Sequence, residues 1–256
     1  MAVLHGGPGA PGSAASLAQD LAHWFMVLEP WQRRSGEPAL TVAQHVADLD
    51  AVFPDGAALV GHSWGAMLAL SYAAARPGRA RSLALVGCGT YDPAAREAFH
   101  RALGARLSEE DRRHLDELTG LAEAAASDAE LDRRLGRVRD FMEEAMSYER
   151  IPEPGDAVEV DGRGHHETWE DVLRLQAEGV EPAAFAAISC PVLMLHGDDD
   201  PHPGRATFDL LRRFIPQLQY RGFPRCGHRP WAERHAREPF LAALREWLDE
   251  GGAISE

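Results

Sequence analysis

Lysine is missing from this chain: all 26 basic residues are arginine, set against 40 acidic ones, for a formal net charge of −14. Positive charge is too scarce for a protein that grips a nucleic-acid backbone or an anionic membrane surface. The use of arginine alone, beside abundant alanine, reads as genomic base composition rather than function. Cysteine is scarce as well. Cys88, Cys190 and Cys226 form neither a disulfide framework nor a metal-ligand spacing, so no metal or cofactor is expected. Long apolar runs are also lacking. None approaches the ~20 residues that cross a bilayer and no secretory signal is visible, so the expected location is cytoplasmic.

What is present is alternation. Short apolar runs near 2–5, 25–29, 57–62, 82–87, 191–196 and 218–222 read as strands. Helical stretches lie near 14–22, 41–52, 65–76, 204–214 and 231–249. Strands alternating with helices predict an α/β fold with a mostly parallel sheet, covered on both faces because the strands are apolar throughout. A length of 256 residues suits one such domain carrying an insertion. Tyr91-Asp92-Pro93 breaks the alternation, and charge-rich helices follow near 94–107, 108–119, 130–150 and 167–178. Ser108-Glu109-Glu110-Asp111 and Ser127-Asp128-Ala129-Glu130 read as helix starts, the second with capping-box spacing. Ile151-Pro152-Glu153-Pro154-Gly155-Asp156 is a breaker. The expected division is a core of residues 1–91 and 188–256 with a helical cap over 92–187.

Four pieces of sequence carry chemistry. Gly61-His62-Ser63-Trp64-Gly65 joins a strand to a helix, the setting in which Gly-x-Ser-x-Gly makes a nucleophile elbow. His5-Gly6-Gly7-Pro8-Gly9 follows another strand, where glycines let backbone N–H groups approach an oxyanion. His196-Gly197-Asp198-Asp199-Asp200 ends a strand in three carboxylates, a fitting place for an acid that orients a histidine. Cys226-Gly227-His228 comes last, completing the order Ser, Asp, His. Cys226 itself reads as a small packed residue.

These motifs resemble those of the α/β-hydrolase superfamily, and His-Gly-Gly-Pro-Gly with Gly-x-Ser-Trp-Gly is similar to its prolyl-aminopeptidase-like branch. The likeness covers residues 1–90 and 188–250. It implies Ser63 as nucleophile, His228 as base and Asp200 as acid, with Asp198 second choice, and the N–H groups of Gly7 and Trp64 as oxyanion donors. Gln32-Arg33-Arg34-Ser35-Gly36 is an altered form of a stretch in that branch, and His62 stands where its members have glycine and esterases or lactonases often have histidine. Members usually carry two further strands before the glycine-rich loop. Here the strand near 25–28 would form a sheet edge with unpaired backbone groups, so either the true start lies upstream or the edge is covered by packing or by another protomer, and a homo-oligomer through that edge is the expectation for a complete chain.

The resemblance also implies cap carboxylates for a substrate amine, with Glu143, Glu144, Glu167 and Glu170 as candidates and Glu144 and Glu170 preferred. Trp169 is expected to line the substrate pocket. His165 and His166 are adjacent and lack the spacing of a metal pair. Phe141, Met142, Met146 and Tyr148 read as packing. The expected activity is cofactor-independent hydrolysis of a small carboxylic ester, lactone or amide through an acyl-enzyme. Proline iminopeptidase activity, perhydrolysis or carbon–carbon bond hydrolysis, and a non-catalytic ligand receptor are the alternatives.

Overall fold

A computed structural model describes residues 1–153 and 159–251. Its sheet has five strands, β1 (Ala2–Leu4), β2 (Ala58–His62), β3 (Ser82–Val86), β4 (Val192–Gly197) and β5 (Leu218–Phe223), in that spatial order and all parallel. Alternate side chains enter two separate cores. Leu59, Leu83, Leu85, Val192 and Met194 pack under α2 (Val42–Val52), α3 (Trp64–Ala75) and α8 (Gly204–Leu211). Val60, Ala84, Val86, Leu193 and Leu195 pack under α1 (Ala15–Leu21) and α9 (Arg237–Asp249), where Trp231 and Trp247 are fully buried. Both faces are apolar because both are covered, which explains runs without polar alternation. Among the described residues no helix is long and apolar enough to cross a membrane.

The expected strand near 25–29 shrinks to one bridge, Ala2 to Leu28, held by Val3 N–H to Leu28 O at 2.8 Å and Leu28 N–H to Met1 O at 3.0 Å. The chain reaches Pro30 two residues later, which has no N–H to continue a ladder, and β1 offers only three residues to pair with. Met26, Leu28, Trp31 and Val52 remain exposed near this edge. A groove of about 750 Å³ runs beside it and includes Leu28, Trp31 and Val52 in its walls.

Between β3 and β4 come α4 (Pro93–Arg106), α5 (Glu109–Glu123), α6 (Asp128–Ala145), α7 (Gly162–Ala177) and a 3-10 turn at Ala183–Ala187. Asp92 caps α4 by accepting from Ala95 N–H at 2.9 Å, with Pro93 in the first turn where its missing N–H costs nothing. The reciprocal capping box forms at Ser108 and Asp111, not at Ser127. Ser127 still accepts from Glu130 N–H, but the Glu130 carboxylate turns back to Ala126 N–H. Helix α6 stops at 145 rather than 150 because Met146 O, the Tyr148, Glu149 and Ile151 N–H groups and Glu149 O bond the segment from His228 to Arg234 instead. Helix α7 starts five residues earlier than expected, since Asp161 caps it through Gly164 N–H. Helix α9 starts at 237 instead of 231, after a 3-10 turn at Pro230–Ala232. Of the breaker after α6, Ile151–Glu153 is described and residues 154–156 lie outside the described residues.

The turn from β2 into α3 sets the direction in which the chain leaves the sheet. Ser63 has φ 54° and ψ −118°, a strained conformation for a side-chain-bearing residue. A Cβ on Gly61 would lie 2.2 Å from Gly65 O, and one on Gly65 would lie 2.3 Å from Leu4 O. Both glycines let backbone touch backbone. Gly65→Ala is expected to push α3 away from β1 at a cost of about 3 kcal/mol, seen as a drop of roughly 6–12 °C in melting temperature by calorimetry; an unchanged melting temperature would disprove this tight contact.

Candidate active site

The elbow lifts Ser63 to the first turn of α3, and Ser63 N–H is held by Val86 O at 2.8 Å. The hydroxyl makes no hydrogen bond among the described residues and lies on two adjoining cavities, of about 480 and 120 Å³. The Trp64 and Gly7 N–H groups likewise have no hydrogen-bond partner among the described residues. The glycine-rich loop is held against the elbow by Gln32. Its backbone N–H donates to His5 Nε2 at 3.1 Å, its amide donates to His5 O at 3.2 Å, and it accepts from Trp64 Nε1 at 2.7 Å. Gly6 sits so close that a Cβ there would meet His62 Nδ1 at 2.9 Å.

Beyond β4 lies a carboxylate surrounded by imidazoles. Asp200, with a fully buried side chain, accepts from His228 Nδ1 at 2.7 Å and from His202 through both Nδ1 and the backbone N–H at 2.9 Å. His196 Nε2 lies 3.3 Å from it and 3.1 Å from His202 O. Burial alone would raise the Asp200 carboxyl, but the neighbouring His228, His202 and His196 outweigh it and hold it well below the usual carboxylate range. An ionised carboxylate only accepts, so each facing ring nitrogen carries the proton. That leaves Nε2 of His228 and of His202 as lone-pair sites. Neither has a protein partner among the described residues and neither is sealed from the cavity. Asp200, His202 and His228 also place one potential metal-ligand atom each within 4.8 Å of one another, but their hydrogen bonds to each other account for that closeness.

The loop bearing His228 is stitched to the end of α6. His228 N–H donates to Met146 O at 3.0 Å. Buried Glu233 accepts from Gly227, Tyr148 and Glu149 N–H groups at 2.9, 2.8 and 2.7 Å. A Cβ on Gly227 would meet Met146 O at 2.1 Å, so glycine is required where the two backbones cross. Arg229 pairs with Glu143 and Glu153, both at 3.0 Å. On the opposite side, Asp161 N–H donates to Gly9 O at 2.7 Å and the His165 ring bonds Pro8 O at 2.9 Å, tying α7 to the glycine-rich loop.

The structure therefore brings Ser63, Asp200, His228, Gly7 and Trp64 to one region, and Trp169 lines the larger cavity beside Ser63. Two expected substrate contacts are not there. Glu144 lines a separate cavity with Arg106 and Tyr148, because it projects from another face of α6. Glu170 is exposed and pairs with His166 at 3.3 Å, on the outer face of α7. Glu167 serves Leu40 N–H and Arg163. Glu143 reaches the smaller cavity, already paired with Arg229 and Arg150. Of the three aspartates after β4, Asp198 is exposed and Asp199 accepts from Cys226 N–H, so Asp200 alone faces the histidines. Burial raises the Cys226 thiol far above the usual range, consistent with an inert packed residue. Missed from the sequence were His202, His196, Glu233, Asp161 and Gln32. His202 stands two residues after Asp200, a spacing short enough to have flagged it.

The sequence profile of the alpha/beta hydrolase family matches residues 3–243, and the chain belongs to that family. Among curated relatives, 2-hydroxy-6-oxo-2,4-heptadienoate hydrolase of Pseudomonas putida is 27% identical, over 81% of this chain and 68% of its own. Pimeloyl-[acyl-carrier protein] methyl ester esterase of Chromobacterium violaceum is 28% identical, over 96% and 93%. Among solved structures, an esterase from Thermogutta terrifontis superposes with a TM-score of 0.62 at 20% identity, over 98% of this chain and 90% of its own. Proline iminopeptidase from Mycobacterium smegmatis superposes with 0.58 at 20% identity, over 98% and 89%. The structural likenesses show the shared fold.

Two histidines beneath the site make folding pH-sensitive. Burial lowers His5 and His45 to about 4, while in the unfolded chain each titrates near 6.5. The folded protein refuses protons that the unfolded chain accepts, so their contribution is complete above pH 6.5 and is lost as pH falls toward 4. Glu29, raised to about 7 by burial, acts oppositely over the same window, so a single-residue difference is the clean readout. In His45→Gln the stability lost between pH 7.5 and pH 5 should shrink by about 2 kcal/mol in urea titrations; an unchanged loss contradicts a neutral buried imidazole.

Proposed function

We propose that this chain is a cofactor-independent serine hydrolase of carboxylic esters or lactones that works through an acyl-enzyme. The observation that carries this reading is the Asp200 to His228 Nδ1 hydrogen bond of 2.7 Å, which directs the Nε2 lone pair of His228 to the cavity holding Ser63. In this reading His228 Nε2 takes the Ser63 proton as Oγ attacks the carbonyl carbon. The resulting oxyanion sits against the Gly7 and Trp64 N–H groups, which have no other partner among the described residues. His228 then passes the proton to the leaving oxygen. Water, deprotonated by the same nitrogen, releases the acid and restores Ser63.

An ester esterase among the relatives supports this chemistry. Release of N-terminal proline is the weaker reading. It needs a free carboxylate for the substrate amine, and the one insert carboxylate on the Ser63 cavities among the described residues, Glu143, is held by three arginines. The helices over residues 92–187 act in this reading as the cap that shapes the pocket. Helix α6 supplies Arg139 and Met142 to its wall, and Met146 follows at the helix end.

Ser63→Ala is expected to cut kcat on p-nitrophenyl butyrate by at least about a thousandfold, and Asp200→Asn by a comparable factor through the wrong His228 tautomer. A fluorophosphonate probe should label the wild-type protein at Ser63, read by peptide mass. Turnover persisting in Ser63→Ala, or labelling elsewhere, would refute the assignment.

A further inference from the structure

The rings of His202 and His228 are stacked, with centroids 4.5 Å apart and planes 23° from parallel. Both direct Nδ1 to the same carboxylate. Two stacked rings anchored at the same edge present their far edges in the same direction. His228 Nε2 therefore has a near twin in His202 Nε2, set aside by about the stacking distance. Phe99 stacks on the outer face of His202 at 4.3 Å and fixes the ring. His202 lines the larger cavity together with Ser63 and Trp64. Its Nε2 carries a lone pair, has no protein partner among the described residues and is open to that cavity.

We infer that His202 Nε2 is a substrate-binding acceptor, and that the hydrolase prefers acyl groups bearing a hydroxyl on carbon 2 or 3. The inference rests on the serine-hydrolase reading and deepens it. A lone pair facing a cavity whose walls are largely apolar calls for a donor, because leaving it unpaired beside bound substrate costs a hydrogen bond. The donor is a neutral hydroxyl rather than an ammonium. Among the described residues the fully charged side chains lining this cavity are Arg96 and Arg139, the latter paired with Asp140 and Glu143, and no carboxylate lines it. A bound cation would find no described carboxylate in these walls to offset its desolvation. The position follows from the stack: the donor lies roughly 4.5 Å from the oxygen that His228 serves, about three or four bonds along an acyl chain.

The test is a ratio. The p-nitrophenyl esters of butyrate, 2-hydroxybutyrate and 3-hydroxybutyrate are compared by kcat/KM in wild-type protein and in His202→Phe, which keeps the aromatic stack and the backbone bond to Asp200 but removes Nε2. At least one hydroxy ester should exceed butyrate by about fivefold in wild type, and the advantage should vanish in the variant. A wild-type preference for butyrate over both hydroxy esters, or a ratio untouched by the substitution, overturns the inference. A uniform fall for all three esters with the ratio retained would assign His202 to positioning Asp200 alone, and overturns it too. The second measurement needs no turnover and no variant at 202. In Ser63→Ala, the His202 Nε2 nitrogen resonance should move on adding the methyl ester of 2- or 3-hydroxybutyrate, and not on adding methyl butyrate. Equal responses refute the acceptor even if Ser63 proves not to be a nucleophile.

Discussion

One buried negative charge organises the site. Asp200 sits past the end of β4 with its side chain out of water, where an unpaired carboxylate would cost several kcal/mol. Three imidazoles and a backbone N–H surround it, and because it can only accept, it decides where each of their protons resides. The tautomer of the proposed base, the lone pair of His202 and the orientation of His196 are consequences of that single charge. The carboxylate in turn depends on β4 pairing with both β3 and β5, so the site exists only where the sheet does.

The second constraint is backbone contact between the core loops and the inserted helices. A lid hinged at two ends would touch the site through side chains alone. Here Glu233 binds N–H groups from the His228 loop and from residues 148–149 with one carboxylate. Asp161 N–H and the His165 ring bond the carbonyls of Gly9 and Pro8. The loop of the proposed base and the loop of the proposed oxyanion donors are each fastened to a different helix of the insert. The α6 and α7 walls of the cavity are thus held in register with the groups they serve. Movement of either helix would displace those groups rather than merely open a door. Discrimination between substrates then comes from cavity shape and fixed polar atoms.

Much of this was legible in the sequence because it was local. Gly61-His62-Ser63-Trp64-Gly65 announced its turn, since steric crowding allows few residues to make it. The strand pattern announced a doubly covered sheet, since polar side chains have no place on either face. Asp200 was picked from three aspartates by a family spacing, and the fold shows the physical reason: it alone points inward. The strand near residue 28 was overread because apolar content does not reveal how little β1 leaves to pair with. Glu144 and Glu170 were misplaced because a carboxylate's direction depends on helix phase against the core, which composition does not encode. The roles of Glu233, Asp161 and Gln32 are hidden for a related reason. Each acts on backbone groups distant in sequence, and such partners carry no residue-type signature.

Charge must also appear at the right ring during the proposed reaction. Four imidazoles crowd this end of the sheet, yet only His228 should gain a proton when Ser63 loses one. His62 lies 4.8 Å from His228 and edge-on to Trp231, and burial, with His228 and Arg229 nearby, lowers it well below the usual histidine range. His202, stacked on the other side, is lowered chiefly by burial as well, although Asp200 pulls against that. His196 shares its proton between Asp200 and His202 O, with its other nitrogen sealed in the core. Arg229, a permanent cation in the wall of the smaller cavity, is held by Glu143 and Glu153. His228 combines the shortest bond to Asp200 with an opening toward Ser63, so the imidazolium forms where the counter-charge is closest. His62 and His202 stay neutral, and a neutral ring beside the base is what can offer a lone pair to substrate in the proposed reaction.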